Sequence, residues 1–154
     1  MSWWYEPVTD FAKGAETIRR WRSGVIDCRD GRFHHVGLRL LPKLAAAPDI
    51  RLLGNWRHRW WPGDRCLLYY HQPWRFRNFL VLQYIVSSRE ATLGTLARAM
   101  ETLDEVARLK QSDAILCDVA NWRISDRVML RCGFEPHCPS RWHRHFIKRM
   151  YKDT

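Results

Sequence analysis

Asn78-Phe-Leu-Val-Leu-Gln-Tyr-Ile-Val-Ser-Ser-Arg-Glu-Ala-Thr-Leu-Gly-Thr-Leu-Ala-Arg-Ala-Met100 decides the fold. Its first nine residues, Asn78 to Val86, are dense in β-branched and aromatic side chains and too short for a good helix, so they predict a buried strand. Leu93, Leu96, Ala97, Met100, Leu103 and Ala107 then recur at spacings of three and four. Arg98, Glu101, Asp104, Glu105 and Arg108 occupy the other side. That is the period of an amphipathic helix. Asp104 and Arg108 add an acid-to-base pair four residues apart, in the favourable order.

A strand that passes through a short turn into a helix leaves the first helical N–H groups unpaired, at the positive end of the macrodipole. Such an end attracts phosphate. Ser88, Ala91, Thr92, Gly94 and Thr95 are small enough to let a pyrophosphate approach the backbone, and Arg89 can add charge. The competing reading is an ordinary capped helix start, which most such turns are.

Working outward, Asp113 to Asn121 predicts a second buried strand, and Ile124 to Cys132 a short helix stopped by Gly133. Strand, helix, strand, helix implies a parallel pair with a right-handed crossover.

These residues resemble the GNAT superfamily of acetyl-coenzyme A-dependent N-acetyltransferases. The family's fingerprint at the start of its central helix is Gln or Arg, two residues, Gly, one residue, then Gly or Ala. Arg89-Glu-Ala-Thr92-Leu-Gly94 has that spacing, with Thr92 in place of the first Gly. Asn121, Gly133-Phe134-Glu135 and the closing strand His145 to Tyr151 are similar to later parts of the family, in the same order. The resemblance covers residues 78 to 151 and hardly touches residues 1 to 77. It implies a mixed α/β (α+β) domain of GNAT type, a central sheet flanked by helices, with acetyl-coenzyme A as acyl donor and an amine as acceptor.

By the same resemblance, Val86, Arg89, Thr92, Leu93, Gly94, Thr95 and Asn121 would hold the coenzyme, with Asn121 on the pantetheine arm or an ordered water. Asn121 is as readily the N-cap of the next helix. Met129 stands where the family usually places a Tyr general acid, and a thioether donates no proton. The interval from Asn121 to Gly133 is also one residue longer than usual. Tyr84, Ser125 and Cys132 are the nearest proton sources for a leaving thiolate, and Asp118 is a candidate base for the amine; each has a packing, capping or surface role as its alternative. The catalytic candidates are therefore Tyr84, Asp118 and Ser125, and an inactive GNAT-like domain that binds acyl-coenzyme A or a protein partner is the runner-up.

Composition sets the outer bounds. A chain of 154 residues with 46% hydrophobic and 27% charged residues suits one globular domain spanning residues 1 to 154. No stretch approaches the roughly 18 apolar residues of a membrane span. The start, Met1 to Pro7, lacks the basic and apolar regions of a signal peptide, so the expectation is a cytoplasmic protein without a membrane partner. Five cysteines in no zinc-knuckle or redox spacing suit a reducing compartment, with Cys66 and Cys117 as small buried hydrophobes. The formal charge of +10 draws polyanions. Its arginines are dispersed along the chain, which does not favour nucleic acid as the main partner. Homodimerisation stays open.

In the N-terminal half, residues 3 to 8 predict a short strand broken by Pro7. Asp10 caps a helix carrying Phe11, Ala15, Ile18 and Trp21 and ended by Gly24, and Val25 to Gly31 reads as an irregular link with a turn at Asp30-Gly31. Phe33 to Pro42 fits strand or helix, and Leu44 to Ala47 a short helix. Ile50 to Trp60 and Arg65 to Gln72 read as antiparallel strands joined by Trp61-Pro-Gly-Asp64. Trp56, Trp60, Trp61 and Trp74 interleave with Arg57, Arg59, Arg75 and Arg77. Strand alternation would turn those rings inward; the alternative is an outward surface that stacks on a flat ligand. His34 and His35 are adjacent and His143 and His145 share a strand face, but no third ligand stands at a telling distance and no metal is expected.

Overall fold

The computed structural model describes residues 5–39, 63–119, 125–137 and 144–150. In chain order these form β1 (Tyr5–Val8), α1 (Phe11–Arg20), β2 (Ser23–Arg29), β3 (Arg32–Arg39), β4 (Arg65–His71) and β5 (Phe79–Ser87). Then come α2 (Leu93–Leu109), β6 (Ala114–Val119), α3 (Asp126–Arg131), β7 (Glu135–Pro136) and β8 (Arg144–Arg149). The strands make one eight-stranded sheet in the order β1-β3-β2-β4-β5-β6-β8-β7. Among the described residues only β5 and β6 pair in parallel. The mixed α/β class expected from the sequence is the class observed.

α2 is the helix against which the sheet is packed. Thr92 caps it by accepting from the N–H of Thr95, and Leu96, Ala99, Met100, Leu103, Val106 and Ala107 are buried. They meet Ile26, Cys28, Cys66, Leu68, Leu80 and Leu82 from the strands, all in one core cluster with Ile18 of α1. Truncating a fully buried member such as Leu103 to Ala should cost about 2–5 kcal/mol. α1 begins where expected, with the Asp10 carboxylate accepting from Ala12 N–H at 2.9 Å. α3 ends as expected at Gly133, whose φ of +90° lets Phe134 N–H reach Met129 O at 3.0 Å and Gly133 N–H reach Leu130 O at 3.0 Å.

Four expectations need correction. The segment after Gly24 is no irregular link but β2, paired on both sides and buried from Ser23 to Cys28. A strand covered on both faces loses the alternation by which strands are recognised. Pro7 does not break β1; it sits in an edge strand, where a missing N–H is tolerated. Asp104 pairs with Lys148 of β8 at 2.6 Å, not with Arg108. Both members of that pair are largely buried, so the bond ties α2 to the sheet instead of decorating a surface. Trp74, expected inward, is 75% exposed. The segments predicted at 44–47 and 50–60, with Trp56, Trp60 and Trp61, lie outside the described residues, as do Asn121, Cys138 and His143.

Candidate functional site

The parallel pair carries the feature that makes a site. β5 and β6 stay in register only from Phe79↔Ala114 to Leu82↔Cys117. Beyond Leu82 they part. Gln83 has no partner in β4, since Tyr84 pairs with Tyr69 and Leu82 with Tyr70. One extra residue in β5 is a β-bulge, and a bulge bends its strand and raises its twist. β5 then continues beside β4 to Ser87, while β6 continues beside β8 to Val119. Among the described residues, one edge of β5 from Tyr84 to Ser87 thus faces a wedge instead of a neighbouring strand. The wedge opens at the carboxyl ends of the two parallel strands, where sheets of this kind receive ligands.

Tyr84 lies at the bulge, its ring 6.3 Å from that of Tyr69 in an edge-on arrangement. Both are partly exposed. Val86 follows in the same strand, paired with Leu67. Asp118 is the first β6 residue beyond the parallel ladder, opposite His145 of β8. Ser125 is committed elsewhere: its hydroxyl accepts from Val128 N–H at 3.3 Å as the N-cap of α3. Met129 is fully buried in the core. Cys132 is half-buried, and burial pushes its thiol above the usual range. Of the proposed proton sources in the described residues, the structure brings Tyr84 to the wedge and gives Ser125 a capping bond.

The turn from β5 into α2 lies at the mouth of the wedge. Arg89 is exposed and forms no hydrogen bond or ion pair among the described residues. Leu93 is 60% exposed. Above Gly94 the space is open, since a Cβ placed there would find only Thr92 Oγ1, at 3.8 Å. Leu93 and Gly94 keep their N–H groups free among the described residues. Thr92 and Thr95 do not face outward in that way. Thr92 donates its N–H to Asp64 Oδ1 at 2.8 Å and its hydroxyl to Asp64 Oδ2 at 2.7 Å. Thr95, wholly buried, donates its hydroxyl to the same oxygen at 2.7 Å and accepts from Gly31 N–H at 2.8 Å.

Asp64 is the residue that sequence reasoning missed. Burial is the largest single influence on it and raises its pKa, but the hydrogen bonds from Thr95 and Thr92 together outweigh this and hold the carboxyl below its ordinary value. An internal carboxylate therefore already occupies part of the positive end of α2. The loop that carries it is stitched to the turn: Arg65 N–H donates to Ser88 Oγ at 2.9 Å, and Ser88 Oγ donates to Gly63 O at 2.7 Å. Asp64 appears in the sequence only as the last residue of a Pro-Gly turn.

A second polar group lies on the sheet face turned away from α2. Asp27 is 1% exposed and is gripped by Arg65 at 2.9 Å and Arg29 at 3.0 Å. Burial alone would raise its pKa, but the bonds from Arg65 and Arg29 win and lower it. His35 stands 3.8 Å away, and burial favours its neutral form. His34 Nδ1 lies 3.1 Å from His35 Nδ1, so one of the two carries the proton. Ligand atoms of Asp27, His34 and His35 fall within 4.8 Å of one another. A cation there would share its carboxylate with two guanidinium groups, and the cluster is read as an ion pair.

No protein family and no curated relative match the chain. Among solved structures, its fold is similar to the crystal structure of nourseothricin acetyltransferase, with a TM-score of 0.44 and 18% sequence identity over 93% of this chain and 95% of that one.

Proposed function

We propose that the chain is a GNAT-type N-acyltransferase that moves an acetyl group from acetyl-coenzyme A to an amine. The observation that carries this reading is the parting of β5 from β6 just ahead of the N-terminus of α2. A pantetheine arm is an extended chain of amides, and a free strand edge offers such a chain hydrogen bonds at the right repeat. In this reading Val86 and its neighbours in β5 hold the arm. Arg89 and the N–H groups of Leu93 and Gly94 meet the pyrophosphate, and Thr92 and Thr95 act through the cap that orients them. The amine attacks the thioester carbonyl, a backbone N–H of β5 stabilises the developing oxyanion, and the departing thiolate takes a proton from the Tyr84 phenol. Asp118 serves as base for the acceptor amine, and Asn121 supports the arm.

The runner-up, an acyl-coenzyme A-binding domain without catalysis, draws on a specific observation. Met129, where the resemblance would place a Tyr acid, is buried in the core and donates no proton, and Ser125 accepts the capping bond of α3 from Val128 N–H. One calorimetric titration with acetyl-coenzyme A, followed by a free-thiol measurement after adding a pool of amines, separates the two. Binding with thiol release supports the transferase. Binding without release from any amine supports the silent domain, and no binding of coenzyme A removes both.

A further inference from the structure

Gln72-Pro-Trp-Arg-Phe-Arg77 connects β4 to β5 and is not itself a strand, so no alternation of faces hides its rings. Trp74 is 75% exposed and Phe76 is 58% exposed. Cations surround them. The Arg22 guanidinium carbon lies 3.1 Å from the centre of the Trp74 ring, and that of Arg77 lies 6.0 Å from it. Even with the Arg22 guanidinium against it, Trp74 is exposed over most of its surface.

The charge around this loop is unbalanced. Arg22 Nη1 is buried and has no hydrogen-bond partner among the described residues. Lys110 lies close enough that Arg22, after burial, lowers its pKa. The Lys110 ammonium donates to neutral groups, Trp21 O at 2.6 Å and Gln72 Oε1 at 3.4 Å. Among the described residues no carboxylate pairs with Arg22, Arg75, Arg77 or Lys110. Beside them is a hollow lined by Arg19, Gln72, Leu109, Lys110 and Gln111. A largely exposed indole, arginines beside it with no paired carboxylate among the described residues and a hollow that includes Lys110 call for a ligand that is both flat and anionic.

We propose that the β4–β5 connection and the C-terminal end of α1 form a binding surface for single-stranded nucleic acid, with an unpaired base stacked on Trp74 and phosphates held by Arg22, Arg75 and Arg77. A duplex keeps its bases inside and offers no face to the indole, so the surface distinguishes single from double strands. An acidic peptide would satisfy the arginines and leave the ring uncovered. The site lies at the opposite end of α2 from the wedge and stands independently of the acyl-transfer reading.

Fluorescence anisotropy of the full chain with a short labelled oligothymidylate tests this. The chain should bind the single strand with an affinity that falls as salt rises. Trp74→Ala, an exposed position whose change should leave the melting temperature intact, should weaken binding by roughly tenfold or more. Arg77→Ala should reduce the salt dependence by about one counterion. Arg32→Ala removes an equal charge from the start of β3 and should change affinity by less than about twofold. Parental affinity in a folded Trp74→Ala variant would overturn the proposal. So would equal affinity for the matching duplex, or binding to phosphatidylserine vesicles but not to the oligonucleotide.

Discussion

The two ends of α2 treat charge in opposite ways. At the N-terminus the positive end of the helix meets a carboxylate from the protein itself, Asp64, which accepts from Thr92 twice and from Thr95 once. At the C-terminus Lys110 reaches over to carbonyls at the end of α1, with Arg22 close by and no carboxylate paired to either among the described residues. One end is internally satisfied, and any anion arriving there must compete. The other end holds more positive charge than its neighbours neutralise. The carboxylate at the cap therefore opposes anions where the sequence motif expects them, and the side chains around the other end leave positive charge without a paired carboxylate among the described residues.

The sharpest way to break this contrast is at the donor end. Gly94→Val fills the open space above the first turn with a branched side chain whose Cβ finds only Thr92 Oγ1, at 3.8 Å. Calorimetry should show coenzyme A binding lost while the melting curve stays cooperative; undiminished affinity in the folded variant would remove the pyrophosphate assignment. At the other end, Lys110→Met leaves the Trp21 carbonyl without its donor and should cost about 1–3 kcal/mol in urea denaturation. A variant as stable as the parent would mean that the tether between α1 and α2 carries no weight.

Asp64→Asn keeps an acceptor for Thr92 N–H and removes the charge. Taking away one like charge near the phosphates is worth about 1 kcal/mol at partly exposed range, so coenzyme A should bind about fivefold more tightly. If affinity instead stays flat, the anion sits beyond the reach of Asp64. The smallest effect is one of pH. Burial, with a further push from Arg22, lowers the Lys110 pKa from 10.5 to about 8. Between those values the unfolded chain holds the proton more firmly than the fold does, so stability should climb as pH rises from 8 toward 10.5. Denaturant midpoints across that window should show the climb in the parent and lose it in Lys110→Met.

What the sequence makes legible follows from which physical signal each segment carries. β5, α2 and β6 stand out because β-branched density and a three-to-four period both extend over whole elements. β2 is hidden by Asp27. A charge in mid-strand reads as solvent, and its burial becomes intelligible only once Arg65 of β4 and Arg29 are found on its two oxygens. Trp74 departs from expectation for the converse reason: it lies in the connection from Gln72 to Arg77, where the alternation of strand faces does not apply. At the turn, the positions of Arg89 and Gly94 beside the helix start are readable from local spacing. That of Asp64 is not, because its place at the cap is set by the pairing of β4 with β5 and by the bonds of its loop to Ser88.

The early parting of β5 from β6 gives one strand two kinds of amide. From Tyr84 to Ser87 the N–H groups alternate sides, those toward β4 locked in a ladder and those toward the wedge without a partner strand among the described residues. Hydrogen–deuterium exchange along these residues should alternate fast and slow, residue by residue, within a strand in the middle of the sheet. A bound extended ligand would slow the fast set alone, so the exchange pattern would register occupancy without any need to know the chemistry that follows.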